Sequence, residues 1–568
     1  MTSIASDRGD LPALCWAAAA NLLLFFCFAH LGVIACFAAG WQIPWYLAPV
    51  ALLGAMASGD WLACREGIEG RRRIVPLVAS LAILGVSLLL SAAFFDMSWD
   101  GLWYHQTAIY QMAHGWNPLR DPLHTFVPSL QDYVRYYAKG PWYVALALYR
   151  FSPHIEWAKP APWMAMAAMF LATLAALLDF GVCRRNALAI ATLVSINPVV
   201  VFELPTYLVD GILISGLACY VAALARSIRR PSPLAIAVGV TSAILCANAK
   251  FSGVVYLCFF CAAGGLYLLI HRRRMLLRYV AIHAAAFLLA TCVFGFNPYV
   301  TNTVQRGHPF YPWFGTAAHP SYAMRGRDPN DMYETPKNLL GHNRFFRFYY
   351  SLFGRPGAEP YFPSRNAQLM WPFDVSWRDF DIYYFPDVRV SGFGPLFSGA
   401  FLIALLLLLG VALVRPGISR EFVVLFVGTI VASVLVGLHL WWARYGPQLW
   451  WLPIVAVAAG LAVPGWRAVR WSAWGLAAIL FVNAVLIEAR HFAWERQATL
   501  TMYDQMALLR QKGEAEIDLQ YFREPYAERL RAGGVVFKES RNLHCAKPME
   551  LMSVPHGYPG AVRACLPE

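Results

Sequence analysis

The stretch "SWDGLWYHQTAIYQMAHGWNPL" (residues 98–119) decides the fold. It follows a run of about twenty apolar residues, the length that spans the hydrocarbon core of a bilayer, and it places Asp100 and His105 among tryptophan and tyrosine side chains. Those rings favour the membrane–water boundary. The stretch therefore reads as the lip of a membrane, and the rest of the chain can be laid out from it.

Composition points the same way: 59% hydrophobic and 14% charged residues over 568 positions leave too much apolar surface for a soluble globule. The net charge of +13 does not indicate nucleic acid, because the basic residues fall in short clusters between apolar runs, as the positive-inside rule requires. The first run, about residues 11–40, is longer than a signal-peptide core and follows "SDRGD", so it is expected to be a retained first helix. Ten of the twelve cysteines lie in or at the ends of apolar segments and read as small core or lipid-facing residues. Cys545 and Cys565 fall in the polar tail and form a disulfide candidate if that tail lies outside the cytoplasm.

On a ruler of roughly twenty residues per crossing, thirteen candidate spans are expected, at about 12–39, 45–64, 74–94, 160–182, 186–202, 209–225, 232–249, 251–270, 279–296, 395–414, 421–440, 446–463 and 471–488. "GPWYVALALYRF" (140–151) is too short to cross and reads as a re-entrant or interfacial helix. Arginine clusters sit in six short connections, near residues 65–73, 184–185, 226–230, 272–278, 415–420 and 467–470. Alternating spans put all six on one side, which the positive-inside rule makes cytoplasmic. Three long polar stretches, 95–159, 297–394 and 489–568, then lie on the outer face. The second is rich in aromatic residues and is expected along the bilayer surface. The third has a helix-like part near 493–512 and a strand-like "GVVFKE" (534–539), which predicts a small α/β cap.

Ionisable groups at membrane depth are costly and tend to mark pathways or active sites. Asp100, Asp210 in "LPTYLVDGILISG", Lys250 in "ANAKFSG" and Arg444 in "WWARYGPQLWWLP" all fall at the outer boundary on this topology, and Lys139 in "YYAKGPWY" joins them. Lysine and arginine at helix ends also snorkel to headgroups, and an aspartate at a helix start also favours the helix dipole. His105 is five residues from Asp100, about 140° around an α-helix, so the two are not expected to share a face, whereas Tyr104 lies closer to the Asp100 face. One or two carboxylates, several cations and an aromatic-lined groove suit a lipid-phosphate substrate. Its polyprenyl tail would lie against apolar helices, its phosphate would meet Lys and Arg, and an acid could take the proton from an incoming hydroxyl.

"SWDGLWYHQTAIY" followed by "GWNPL" resembles the first external loop of GT-C glycosyltransferases, membrane enzymes that use polyprenyl-phosphate sugars and include the lipid A aminoarabinose transferases and the protein O-mannosyltransferases. In order along the chain, "YYAKGPWYVALAL", "NPVVVFELPTYLVDGILISGLACY", "ANAKFSGVVY", "NPYVTNTVQRGHPFYPWFG" and "WARYGPQLWWLP" also resemble segments of that superfamily. The sequence departs from the pattern where Gly140 replaces a proline, where His308 stands in place of the usual asparagine, and where the acidic loop follows the third span instead of the first.

The resemblance implies an all-α polytopic membrane protein of the GT-C fold, with about thirteen transmembrane helices, long periplasmic loops carrying interfacial helices and a small C-terminal α/β periplasmic domain. It implies two additional N-terminal helices over 1–73, a core over 74–296 with its first external loop at 95–159, a large periplasmic loop at 297–394, further transmembrane helices at 395–488 and a tail domain at 489–568. The expected location is the bacterial inner membrane, with the N-terminus cytoplasmic and the tail periplasmic. The expected reaction is inverting sugar transfer from a polyprenyl-phosphate donor to a hydroxyl of a periplasmic glycan, lipid or protein. Asp100 is the expected base, with Asp96 and Asp210 as second acids, Lys139, Lys250 and Arg444 at the donor phosphate, and Tyr104, His105, His308 and Tyr445 lining the substrate. No cofactor is required and no metal ligand set is expected, although a divalent cation is compatible with this chemistry. The rival readings are a polyprenyl-linked lipid or sugar transporter or flippase, against which the lack of repeat symmetry counts, and a polysaccharide polymerase or ligase using a pyrophosphate-linked donor.

Overall fold

The computed structural model describes residues 10–123, 128–326, 335–357, 366–414, 420–437, 439–463, 465–555 and 560–566. Arg415 and parts of the expected loops 95–159, 297–394 and 489–568 lie outside them. Among the described residues eight helices are long and apolar enough to cross a membrane, and four shorter apolar helices, Pro233–Ala249, Phe397–Leu413, Glu421–Leu435 and Pro447–Leu461, accompany them. The count of thirteen full spans is not reproduced. One reason is local: the expected 186–202 span is two pieces, Arg184–Ser195 and Pro198–Phe202. Asn197 caps the second piece by accepting from the Val199 N–H, and Pro198 cannot continue the first.

Helix Leu11–Ala39 is no peripheral addition. It packs against Leu47–Arg65, Ala161–Asp179, Pro233–Ala249 and Gly140–Phe151, and its alanine run Ala17–Ala20 is buried. Small side chains let helix backbones approach closely where no hydrophobic force acts between helices in lipid. Gly140–Phe151, expected as a re-entrant or interfacial helix, is buried over residues 140–149. At twelve residues it is too short to cross a bilayer, and helix Leu11–Ala39 packs against it.

Helix Asp210–Arg229 runs antiparallel to Pro233–Ala249, so Asp210 and Lys250 share one end of the bundle. The opposite end gathers arginines: Arg226 pairs with Glu66 at 3.6 Å and Asp179 at 3.3 Å, and Arg272 donates to the Ile228 carbonyl at 3.1 Å.

The expected boundary between the last span and the tail falls inside one helix, Arg467–Lys512. At 1.5 Å per residue its 46 residues extend about 70 Å, twice what a bilayer core needs, so the predicted tail helix is the continuation of a span. Beyond it β1 (Ala515–Asp518), β2 (Phe537–Glu539), β3 (Met549–Glu550) and β4 (Arg563–Cys565) form a sheet of order β2-β1-β4-β3. β1 and β2 are parallel across helix Arg523–Ala532; β4 runs antiparallel to β1 and β3. A disulfide joins Cys545 to Cys565. The core of this cap includes Met502, Ile517, Tyr526 and Leu530 together with Phe95, Met97 and Leu102 from the opening stretch. The cap is thus built onto the lip that the sequence singled out.

Candidate active site

Arg444 is the centre of the site. It lies in a short 3-10 turn, Ala443–Tyr445, whose lack of regular helix leaves the guanidinium directed at three carboxylates. Nε donates to Asp210 Oδ2 at 3.0 Å, Nη1 to Asp387 Oδ2 at 3.0 Å and Nη2 to Asp100 Oδ2 at 2.9 Å. The planar five-donor fork of arginine serves the three acids from three separate nitrogens, a spread that the single nitrogen of a lysine does not offer.

Lys250 completes the group. It stands in extended conformation between helices Pro233–Ala249 and Phe251–His271. Its ammonium meets Asp210 Oδ1 at 2.6 Å and lies 4.2 Å from the centre of the Tyr445 ring. Asp210 is the first residue of its helix, where a carboxylate also favours the helix dipole. Behind it Glu203 accepts from the Gly211 N–H at 2.6 Å.

Solvent access and hydrogen bonding separate the three aspartates. Both oxygens of Asp210 are taken by the two cations, and both oxygens of Asp387 are taken by Arg444 and by the Trp442 indole, the latter at 2.6 Å. Asp100 uses only Oδ2; its Oδ1 makes no hydrogen bond among the described residues. Its side chain is 24% exposed, against 13% for Asp387 and 1% for Asp210. Asp100 is the carboxylate that can still receive something.

The remaining expected site residues are placed elsewhere or at the margin. Asp96 is fully buried, with Oδ1 accepting from Ser98 and Oδ2 from Gln106 and the Tyr207 N–H, and the absence of a side chain at Gly101 makes room for it. Lys139 donates to the Arg135 and Tyr137 carbonyls, both at 2.8 Å, and burial holds its ammonium well below the usual lysine range. His308 accepts from the Phe310 N–H in the aromatic loop. His105 accepts from the Trp142 indole at 2.6 Å, and burial pushes it down to about 3, so the ring is neutral. Residues 101–105 form a π turn, so the 3.6-residue phase used to separate Asp100 from His105 does not hold there. Tyr104 stacks near His105, with ring centres 4.2 Å apart.

Asp387 and Glu203 were not among the expected residues. Asp387 sits in "YYFPDVRV", inside an aromatic loop that also holds Asp374, Asp379 and Asp381, and no local feature marks it. Among the described residues no group of three or more His, Cys, Asp or Glu side chains is placed to hold a metal ion.

No protein-family model matches the chain, and no curated protein matches it. A solved structure is similar: ArnT from Cupriavidus metallidurans bound to undecaprenyl phosphate. The two are 13% identical, with 87% of this chain and 98% of that chain covered, at a TM-score of 0.44.

Proposed function

We propose that this chain is an integral membrane glycosyltransferase that moves a sugar from a polyprenyl-phosphate donor to an acceptor hydroxyl, on the outer face of a bacterial inner membrane. The observation that carries this reading is the free Oδ1 of Asp100, held at the solvent-facing edge of a cluster whose other carboxylate oxygens are occupied. Arg444 fixes the acid from behind through Oδ2. The open oxygen can then accept the proton of an incoming hydroxyl.

The acceptor oxygen attacks the anomeric carbon, the bond from that carbon to the phosphate oxygen breaks, and the electron pair leaves with the phosphate. The proton passes to Asp100 Oδ1. Because attack and departure are on opposite faces, the product is inverted. Phosphate needs no general acid to leave; it needs cations near the developing charge, and Lys250 and Arg444 are the nearest. Asp210 holds those cations in place. The apolar helices flanking the cluster supply a surface for the polyprenyl tail.

The test is transfer from a radiolabelled polyprenyl-phosphate sugar by purified chain in nanodiscs, with Asp100→Asn alongside. Donor consumption by the wild type and its loss in the variant support the reading. Directional flux of the intact donor across a vesicle membrane, with no bond cleavage, would replace it with a transporter.

A further inference from the structure

A second cationic cluster lies in the same outer region, away from Arg444. Arg306 stacks over Tyr136 and Tyr311, with its guanidinium carbon 5.0 Å and 5.6 Å from the ring centres. Its Nη2 donates to the Tyr136 hydroxyl, its Nη1 approaches His319 Nδ1 at 3.3 Å, and its Nε has no partner. Among the described residues Arg306 has no carboxylate partner. If His319 accepts from it at Nδ1, the imidazole proton sits on Nε2 and offers one more donor.

Arg325 stacks over Tyr322 at 5.0 Å and, among the described residues, reaches one acid, Asp132, at 3.5 Å. The Tyr322 N–H donates to the Pro312 carbonyl at 3.1 Å and the Trp313 and Tyr322 ring centres are 5.4 Å apart, so the ring beneath Arg325 packs on the segment whose Tyr311 ring carries Arg306. A partly buried, uncompensated guanidinium is costly for a chain to keep unless something supplies the missing negative charge. Aromatic faces hold both planes still, which suits bidentate recognition of a phosphate or carboxylate.

The cluster borders the Asp100 site. Tyr322, the ring beneath Arg325, stacks on Tyr133 with ring centres 6.1 Å apart, and the Tyr133 ring centre lies 5.4 Å from that of Tyr104. Tyr104, four residues after Asp100, also stands 6.3 Å from Tyr137 between ring centres. An acceptor lying along these rings would have its hydroxyl at Asp100 and another part at the arginines.

We infer that Arg306 and Arg325 form an anion subsite that holds a phosphate or carboxylate group of the acceptor while its hydroxyl is presented to Asp100. This deepens the transferase reading and rests on it for the word acceptor. Binding of the anion itself does not.

The experiment titrates full-length protein, in uncharged-lipid nanodiscs, with inorganic pyrophosphate by calorimetry. Saturable, salt-sensitive binding is expected, weakened roughly tenfold or more in Arg306→Gln and in Arg325→Gln, since a hydrogen bond to a charged group is worth about that much. Arg325→Gln, at an exposed side chain, guards against a folding defect in the first variant, and both are checked by gel filtration. Binding that survives saturation with farnesyl phosphate and survives Lys250→Met assigns the anion to the acceptor side. Loss under either condition would give it to the donor and overturn the proposal, as would an unbound wild type or unaffected arginine variants. Intact pyrophosphate binding in a chain that transfers no sugar would leave the subsite standing and remove the transferase reading.

Discussion

Arg444 Nη2 and Asp100 Oδ2 meet at 2.9 Å although 344 residues separate them in the chain. The contact closes the loop that follows helix Ile74–Ala92 onto the turn before a late apolar helix, and it makes the acid and the principal cation parts of one device. Since the same guanidinium holds Asp210 and Asp387, displacing any one acid alters the field at the other two. The site therefore has to be probed one group at a time, with stability and activity measured together.

Asp100→Asn removes the open carboxylate oxygen and keeps the shape and the Arg444 contact. Loss of a positioned base lowers rates by about 10²–10⁴, so transfer should fall by that factor while the melting temperature stays near wild type. Initial rates with a labelled donor and a thermal unfolding curve on the same preparation decide it. A near-normal rate would move the base to another acid.

Asp387 supplies a pH signature. Burial pushes its carboxyl up to about 6, against the opposing pull of Arg444. An ordinary aspartate titrates at 3.8, so between these values the folded chain keeps a proton that the unfolded chain has released. Stability from this group is therefore greatest at the acid end of the window, falls as pH rises through it and is level above. Asp387→Asn cannot titrate and should show a shallower fall in melting temperature from about pH 4.5 to about pH 7. Identical slopes would mean that the Asp387 proton is not retained on folding.

Asp210, Lys250 and Arg444 were legible because each interrupts an otherwise apolar stretch at a helix end, where charge is conspicuous. The structure brings these three together with Asp100. Asp387 was not legible: it lies among several aspartates in a loop with no period, and only the fold carries it to Arg444. Lys139 looked like a site cation because a sequence shows a charge but not the backbone carbonyls that surround it. Helix positions could be read from apolar runs, whereas the break at Asn197–Pro198 and the unbroken course of Arg467–Lys512 depend on capping and on packing beyond the bilayer. The π turn at 101–105 leaves no period in the sequence at all.

Arg444→Ala should destabilise the fold as well as the chemistry. Removing one partner of a buried ion pair costs about 3–5 kcal/mol, and here three carboxylates lose a donor, with Asp210 almost fully buried. Arg444→Lys restores a charge without the fork, so its stability should lie between alanine and wild type. Denaturant unfolding in detergent micelles measures this. A loss below about 1 kcal/mol for the alanine variant would place Arg444 in the class of exposed pairs and count against its central role.

Arg529 ties the cap to the lip. Its Nη2 donates to the Asp96 carbonyl at 2.9 Å and to Glu156 Oε1 at 2.6 Å, and Glu156 Oε2 in turn meets Lys159 at 2.5 Å and the Asp96 N–H at 3.1 Å. The side chain is 1% exposed, so these bonds are sheltered from water. Asp96 precedes Asp100 by four residues, and a loosened anchor at one is felt at the other. Arg529→Ala should raise hydrogen exchange over residues 95–102 and in helix Arg523–Ala532 while leaving helix Asp210–Arg229 protected. Transfer should slow with little change in donor affinity, because the base is misplaced while the cations are not. Exchange mass spectrometry reads the first effect and steady-state kinetics the second. Unchanged exchange in both segments would show that the apolar contacts of Phe95, Met97 and Leu102 hold the cap in place without the arginine.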